Sequence, residues 1–156
     1  MKKSYSVISA IFLTGYLWQY YYNVQWPWLV MMQKNDIYKQ ISGLIILLFI
    51  LSQWYLSILR IRNKMAKAFV ELNIHRTLGV LAPLFLYFHT TRMGNYYLFF
   101  LSVTFLAIFT MGFLHPSVFG IQKQWLIKTW IICHVGTSTL LMLLLGQHIF
   151  ISYWYE

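Results

Sequence analysis

Histidine is the residue type whose number and spacing in this sequence point most directly to chemistry. The chain holds five histidines, and four of them form two pairs with the same separation of 14 residues: His75 with His89, and His134 with His148. In an α-helix, 14 residues are just under four turns and rise roughly 21 Å, so both members of a pair would lie on nearly one face. An ionisable side chain within an apolar helix is a candidate for function, because it is costly to place there.

Two helices that carry such pairs are able to hold planar metal macrocycles between them. Haem iron takes an imidazole on each face of the ring, and neighbouring helices supply one each. Because one helix separates the two histidine-bearing helices in the chain, they run in the same direction. His75 is then level with His134, and His89 with His148. The spacing predicts two stacked, non-covalent b-type haems whose iron atoms have these four histidines as axial ligands.

Other interpretations of the histidines stay open. A proton relay or hydrogen bonds between helices would also place histidine in a membrane. Zinc or copper fits less well, because the two histidines of one helix are about four turns apart, too far to share an ion. His115, which precedes Pro116, is expected to be structural, with a haem propionate contact or proton uptake as alternatives.

The composition requires a membrane around these helices. Of the 156 residues, 60% are hydrophobic and only 10% are charged, whereas soluble domains have about 25% charged residues. The 19 positions from Ile41 to Leu59 carry no charge, and a helix of ~20 apolar residues spans a bilayer core. Little length is left for a soluble catalytic domain. The single cysteine, Cys133, excludes an internal disulfide, a CxxC zinc site and covalent haem attachment.

The sequence therefore predicts an all-α integral membrane protein that forms one transmembrane domain. Five hydrophobic segments are expected, with segments two to five forming a haem-binding four-helix bundle. Their predicted bounds are about 5–32, 41–59, 73–91, 96–114 and 127–153. Pro27 and Pro83 are expected to kink the first and third segments, and Pro116 to help end the fourth. The first segment lacks a small-x-small cleavage site, so we expect it to be retained as a signal anchor.

Lysine and arginine residues predict the orientation in the membrane. The alternation of five spans places eight of them on the side of the N-terminus, namely Lys2, Lys3, Arg60, Arg62, Lys64, Lys67, Lys123 and Lys128. Only Lys34, Lys39 and Arg92 fall on the other side. Because cationic loops are retained in the cytoplasm, the N-terminus is predicted inside and the C-terminus outside, in a bacterial cytoplasmic membrane. The net charge of +9 then indicates topology and a preference for anionic lipid, not nucleic acid.

Other polar residues are candidates to contact a cofactor. Arg76 and Arg92 border the third segment, and a guanidinium suits the carboxylates of haem propionates. For Arg76 the alternative is an ordinary positive-inside residue. Gln19, Asn23 and Gln25 in the first segment are expected to hydrogen-bond between helices, with a quinone pocket as the alternative. Quinone is therefore a candidate second cofactor.

Two stretches of the sequence resemble a known family. ELNIHRTLGVLAPLFLYFHT resembles the third transmembrane helix of the membrane domain of ferric reductases and NADPH oxidases, and KQWLIKTWIICHVGTSTLLMLLLGQHIF is similar to its fifth. The resemblance covers about residues 71–150. It implies that His75 and His134 bind an inner haem and that His89 and His148 bind an outer one. Di-haem cytochrome b subunits of quinone-linked complexes have a comparable spacing, so spacing alone does not choose between the two families.

The function expected from these features is electron transfer. Members of the resembled family commonly carry a sixth span and a flavin and nicotinamide domain, whereas this sequence ends at Glu156 after the fifth segment. We expect an oxidoreductase component that carries electrons across the bilayer with other subunits of a redox complex, a separate reductase or quinol as partner. The alternatives are a terminal reductase or oxidase that acts on ferric iron, oxygen or superoxide at the outer haem, and a non-redox structural subunit.

Overall fold

A computed structural model describes residues 3–154, and over this range the chain is helical with no β-strand. The elements are α1 (Lys3–Tyr21), α2 (Pro27–Lys34), α3 (Asp36–Ile61), α4 (Met65–Gly79), α5 (Ala82–His89), α6 (Tyr97–Phe113), a short 3-10 helix (Pro116–Phe119) and α7 (Gln124–Trp154). The prediction of an all-α protein is confirmed for this part of the chain.

Two of the described helices, α3 and α7, are long and apolar enough to cross a membrane, with 26 and 31 residues. The pair α4 and α5 meets the same test as one unit, with a bend of 47° at its break, which gives up to three candidate spans. Helix α6 is apolar but has only 17 residues. The transmembrane character expected from the composition agrees with these helices. The count of five spans stays a prediction.

The first predicted segment is divided into two helices. Helix α1 ends at Tyr21 and α2 begins at Pro27, and Asn23 between them has a positive φ of 51°. Asparagine tolerates this left-handed conformation better than most residues, and proline suits the first turn of a helix because no hydrogen bond needs its missing N–H there. The expectation that Pro27 kinks a continuous helix is therefore wrong, because Pro27 begins a new one.

The third predicted segment is broken at the position expected from Pro83. Proline in a helix interior clashes with the carbonyl four residues earlier, and four residues before Pro83 is Gly79, the last residue of α4. The helix restarts at Ala82, so Pro83 lies in the first turn of α5, where it is fully buried. The kink expected at Pro83 is confirmed. Pro116 likewise follows the end of α6 and begins the 3-10 helix, as expected.

The chain divides into two compact units. The N-terminal unit is Val7–Thr91, and the C-terminal unit contains the described residues from Arg92 onward together with those before Val7. In the N-terminal unit, α3 packs against α2, α4 and α5. Leu56, Leu59 and Ala68 are buried together at the α3–α4 turn, and this apolar contact holds the two helices side by side. In the C-terminal unit, α6 packs along α7.

Large apolar side chains are exposed along the candidate spans. Leu48 on α3 is 58% exposed, and Ile132 and Leu143 on α7 are 71% and 69% exposed. On α7 the buried residues are only Leu141 and Leu145. A water-soluble domain rarely exposes contiguous apolar surface on this scale. These helix faces suit contact with membrane lipid.

Candidate functional site

The four paired histidines are divided equally between the two units. His75 lies in α4 and His89 is the last residue of α5, whereas His134 and His148 both lie on α7. All four side chains are half-buried. The expectation of a continuous helix with both histidines on one face holds for α7. His75 and His89 lie on either side of the 47° bend between α4 and α5, where the kink at Pro83 was expected.

His89 is held at its ring by α3. Its Nδ1 lies 2.9 Å from Oγ of Ser42, and the next residue of α3 is Gly43. A Cβ atom added at Gly43 would lie only 3.3 Å from Cε1 of His89. The absence of a side chain at Gly43 therefore lets the imidazole lie close against the backbone of α3.

Side chains of α2 and α3 also hold the backbone at the end of α5. The amide nitrogen of Gln33 donates to the carbonyl oxygens of Tyr87 and Phe88, at 2.8 and 3.1 Å. The amide oxygen of Gln33 accepts from N–H and O–H of Thr91, at 3.2 and 2.9 Å. The hydroxyl of Tyr38 donates to the carbonyl of Phe88 at 2.8 Å. The carbonyls of Tyr87 and Phe88 are among the backbone groups that a helix end leaves without intrahelical bonds. We call Gln33, Tyr38 and Ser42 the polar clasp.

His75 also faces α3. Its imidazole is hydrogen-bonded to the backbone of Gln53, and its Nδ1 is buried from solvent. Gln53 and Ser42 are 11 residues apart on α3, which is about three helical turns, so they share a face. One face of α3 therefore contacts both histidines of the N-terminal unit.

His134 is held by an aromatic ring of its own helix. The rings of Trp130 and His134 are stacked, with centroids 4.9 Å apart and an interplanar angle of 7°. Trp130 is itself fixed, because its Nε1 donates to the carbonyl of Met111 on α6 at 2.9 Å. A Cβ atom added at Gly112, also on α6, would lie 3.9 Å from Cε1 of His134. The imidazole therefore lies between an indole face and the backbone of a neighbouring helix.

His148 lies near α6 through a different contact. The hydroxyl of Tyr97 donates to the carbonyl of Leu144, one turn before His148 on α7, and it also contacts the backbone of His148. Tyr97 is the first residue of α6. Its contact therefore ties the beginning of α6 to the turn of α7 that carries His148.

The remaining histidine, His115, caps a short helix. His115 precedes the 3-10 helix, and its Nδ1 accepts a hydrogen bond from the backbone N–H of Ser117 at 3.1 Å. This is the arrangement of a helix N-cap. The ring edge of His115 also contacts Trp130, with centroids 4.4 Å apart and an interplanar angle of 72°. His115, Trp130 and His134 therefore form a row of three rings in the C-terminal unit.

The other predicted site residues are less closely connected with the histidines. Arg76 is half-buried on α4, and Arg92 is exposed after α5. Gln19 donates to the carbonyl of Val24 at 2.7 Å, and Gln25 donates to Asn23 at 2.7 Å. These bonds stabilise the turn between α1 and α2.

The four paired histidines offer single imidazoles as donors for a cofactor. Among residues 3–154 there is no group of three or more His, Cys, Asp or Glu side chains arranged to hold an ion. A six-coordinate haem needs only one imidazole on each face, because the porphyrin supplies the other ligands. Half-buried imidazoles close to glycine backbone, as at Gly43 and Gly112, fit this requirement.

Sequence reasoning missed the residues that hold the histidines. Trp130 precedes His134 by four residues and could have been found from the spacing of neighbours on one helix face. Ser42 and Gln33 are 47 and 58 residues from their partners, His89 and Thr91, so no local pattern identifies them.

Comparison with other proteins adds no family assignment, since no protein family, curated protein or solved structure matches the chain.

Proposed function

We propose that the chain is a di-haem b-type cytochrome subunit that carries electrons across a membrane. The observation that carries the proposal is the matched spacing of four of the five histidines, 14 residues apart in each pair. All four are half-buried and lie on α7 or on the bent pair of α4 and α5, which are candidate spans. The proposal assigns His75, His89, His134 and His148 as axial ligands of the haem iron atoms.

The contacts within each unit support a ligand role. An axial ligand must present its ring in a fixed orientation, and groups that bond the ring or pack on it provide this. Ser42 and Gln53 contact the two imidazoles of the N-terminal unit, and Trp130 stacks on His134. A haem, when bound, supplies a one-electron centre at its iron. The chain would supply the imidazoles and their orientation.

The distribution of positive charge indicates which side of the membrane is cytoplasmic and therefore where electrons enter. Arg60, Arg62, Lys64 and Lys67 are exposed around the α3–α4 turn, and Arg76 follows His75 directly. Positive charge near a haem stabilises its reduced form. We assign this side to the cytoplasm, with the N-terminus inside and a separate reductase subunit or quinol as the electron donor. A propionate contact by Arg76 or Arg92 is part of this proposal.

Haem content per chain is the decisive measurement. The full chain is purified from cells supplied with haem, and its pyridine haemochrome and reduced-minus-oxidised spectra are recorded. We expect two b-type haems per chain, one after His89→Ala or His148→Ala, and two after the control substitution His115→Ala. A folded chain that binds no haem contradicts the proposal. Oxidation of the reduced chain by ferric chelates or oxygen would identify a terminal reductase instead of a relay.

Interhelical hydrogen bonds favour a second candidate, a structural membrane subunit. The bonds of His89 to Ser42 and of His75 to the Gln53 backbone join neighbouring helices without any cofactor. The substitution His89→Gln separates the two functions, because glutamine retains hydrogen-bonding capacity but does not replace imidazole as a strong haem ligand. A purely structural role predicts unchanged unfolding and no haem signal in either protein. The cytochrome role predicts the loss of one haem.

A further inference from the structure

We propose that Ser42 is a positioning residue for His89, which accepts a hydrogen bond from Nδ1–H and thereby makes Nε2 the ligand nitrogen. The part of this inference that concerns iron rests on the proposed function. The part that concerns the tautomer of His89 does not, because it follows from hydrogen-bond geometry within the N-terminal unit.

The tautomer follows from the number of protons available. A serine hydroxyl has one proton to donate and two lone pairs that accept. Oγ of Ser42 lies 2.7 Å from the carbonyl oxygen of Tyr38 and 3.2 Å from that of Lys39. Carbonyl oxygens only accept, so the hydroxyl proton is directed to the backbone of α3. The contact of 2.9 Å with His89 is then a hydrogen bond in which Nδ1–H of the imidazole is the donor.

This tautomer determines which nitrogen is able to bind a metal. A neutral imidazole has one N–H and one nitrogen with a free lone pair, and protonation of Nδ1 leaves the lone pair on Nε2. Ligand histidines commonly donate their second N–H to a neighbouring acceptor, which fixes the ring and raises the basicity of the ligand nitrogen. Ser42 provides such an acceptor from a different helix.

Other neighbouring groups also restrict the position and orientation of the His89 ring. Gln33 and Tyr38 hold the carbonyls of Tyr87 and Phe88, the two residues that precede His89. Gly43 lets the edge of the imidazole that contains Cε1 lie close to α3. Rotation of the ring by half a turn would bring a carbon atom to Ser42 and lose the hydrogen bond. The clasp therefore fixes the backbone, the ring and the proton of His89 together.

The tautomer is tested directly by ¹⁵N NMR of the purified full chain labelled at histidine. The variants are compared as haem-free chain from haem-depleted cells, because iron bound at Nε2 would itself keep the proton on Nδ1 whatever residue 42 is. His89 is assigned by the signals that disappear in His89→Gln. We expect a protonated Nδ1 in the native chain and in Ser42→Thr, and loss of this preference in Ser42→Ala. A protonated Nε2 in the native chain, or an unchanged tautomer in Ser42→Ala, overturns the inference.

A matched control is available on the same helix. Ser52 on α3 donates to the carbonyl of Phe49 at 2.6 Å, so Ser52→Ala removes a comparable hydroxyl from α3. We expect Ser42→Ala to weaken haem binding at the His89 site about 10-fold to 100-fold, while Ser52→Ala and Ser42→Thr retain both haems. Two haems held equally by all variants contradict the role of Ser42 and leave the cytochrome proposal intact. The absence of haem from every variant contradicts the cytochrome proposal, while the NMR signals still report on Ser42.

Discussion

The settings of His89 and His134 differ in the kind of contact that holds each ring. In the N-terminal unit, polar side chains from α2 and α3 bond the ring of His89 and the backbone carbonyls of the two residues before it. In the C-terminal unit, a stacked indole from the preceding turn of α7 holds His134. Hydrogen bonds fix the position of a proton as well as a ring, whereas stacking fixes only the plane. The orientation of His89 therefore depends on individual hydrogen bonds, whereas the orientation of His134 depends on packing against an aromatic surface.

The difference follows from the backbone of each unit. Helix α5 ends at His89, so its last carbonyls need partners from elsewhere. Helix α7 continues for 20 residues beyond His134, so its carbonyls are bonded within the helix and only the ring needs support. The histidine at a helix end is held by a polar clasp, whereas the histidine within a continuous helix is held by ring stacking alone among the contacts described above.

The largest effect is expected from Gln33→Ala. The substitution leaves the carbonyl of Tyr87 and the N–H and O–H of Thr91 without these bonds, and Thr91 is buried. Because an unsatisfied buried polar group costs about 1–3 kcal/mol, we expect a loss of about 2–4 kcal/mol in the free energy of unfolding. Denaturant titration of the chain in detergent micelles measures this loss.

The control for Gln33→Ala is Gln25→Ala, since Gln25 also bonds through its amide but lies in the turn after α1, where its bond to Asn23 is exposed. Surface substitutions of this kind change stability by about 0.5 kcal/mol or less. Equal losses in the two variants would show that the clasp contributes no more than a surface bond.

A smaller effect, opposite in the two units, is expected from alanine at two glycines. A Cβ atom at Gly43 would lie 3.3 Å from Cε1 of His89, whereas one at Gly112 would lie 3.9 Å from Cε1 of His134, which is ordinary contact. We expect Gly43→Ala to displace the imidazole, lower stability by about 1–2 kcal/mol and reduce haem binding at that site. Gly112→Ala should be neutral or should stabilise the helix by about 0.5–1 kcal/mol. Haem stoichiometry and thermal unfolding of both variants check this contrast, and a larger loss in Gly112→Ala contradicts it.

Local features of the fold were predictable from the sequence, whereas the supports of the histidines were not. The apolar composition is sufficient to predict membrane helices, and the break before α5 follows from the geometry of Pro83. The break before α2 needed two features together, the left-handed Asn23 and Pro27 in a first helical turn. The bond between Ser42 and His89 depends on how α3 and α5 pack, and a pattern within one segment does not contain that information.

The smallest effect is expected from Trp130→Phe, and its comparison with Trp130→Leu shows whether aromatic packing or a hydrogen bond dominates in the C-terminal unit. Trp130→Phe keeps an aromatic face for His134 and loses only the bond from Nε1 to the carbonyl of Met111, worth about 1 kcal/mol. Trp130→Leu also loses the stacked contact, worth a further ~0.5–1.5 kcal/mol. We expect Phe to retain the haem at His134 and Leu to weaken its binding, with unfolding and haem titration as the measurements. Trp125→Phe is the control, because Trp125 is on the same helix and 63% exposed. If Phe and Leu behave alike, the hydrogen bond to α6 dominates, and the contrast drawn between the two histidine settings is wrong.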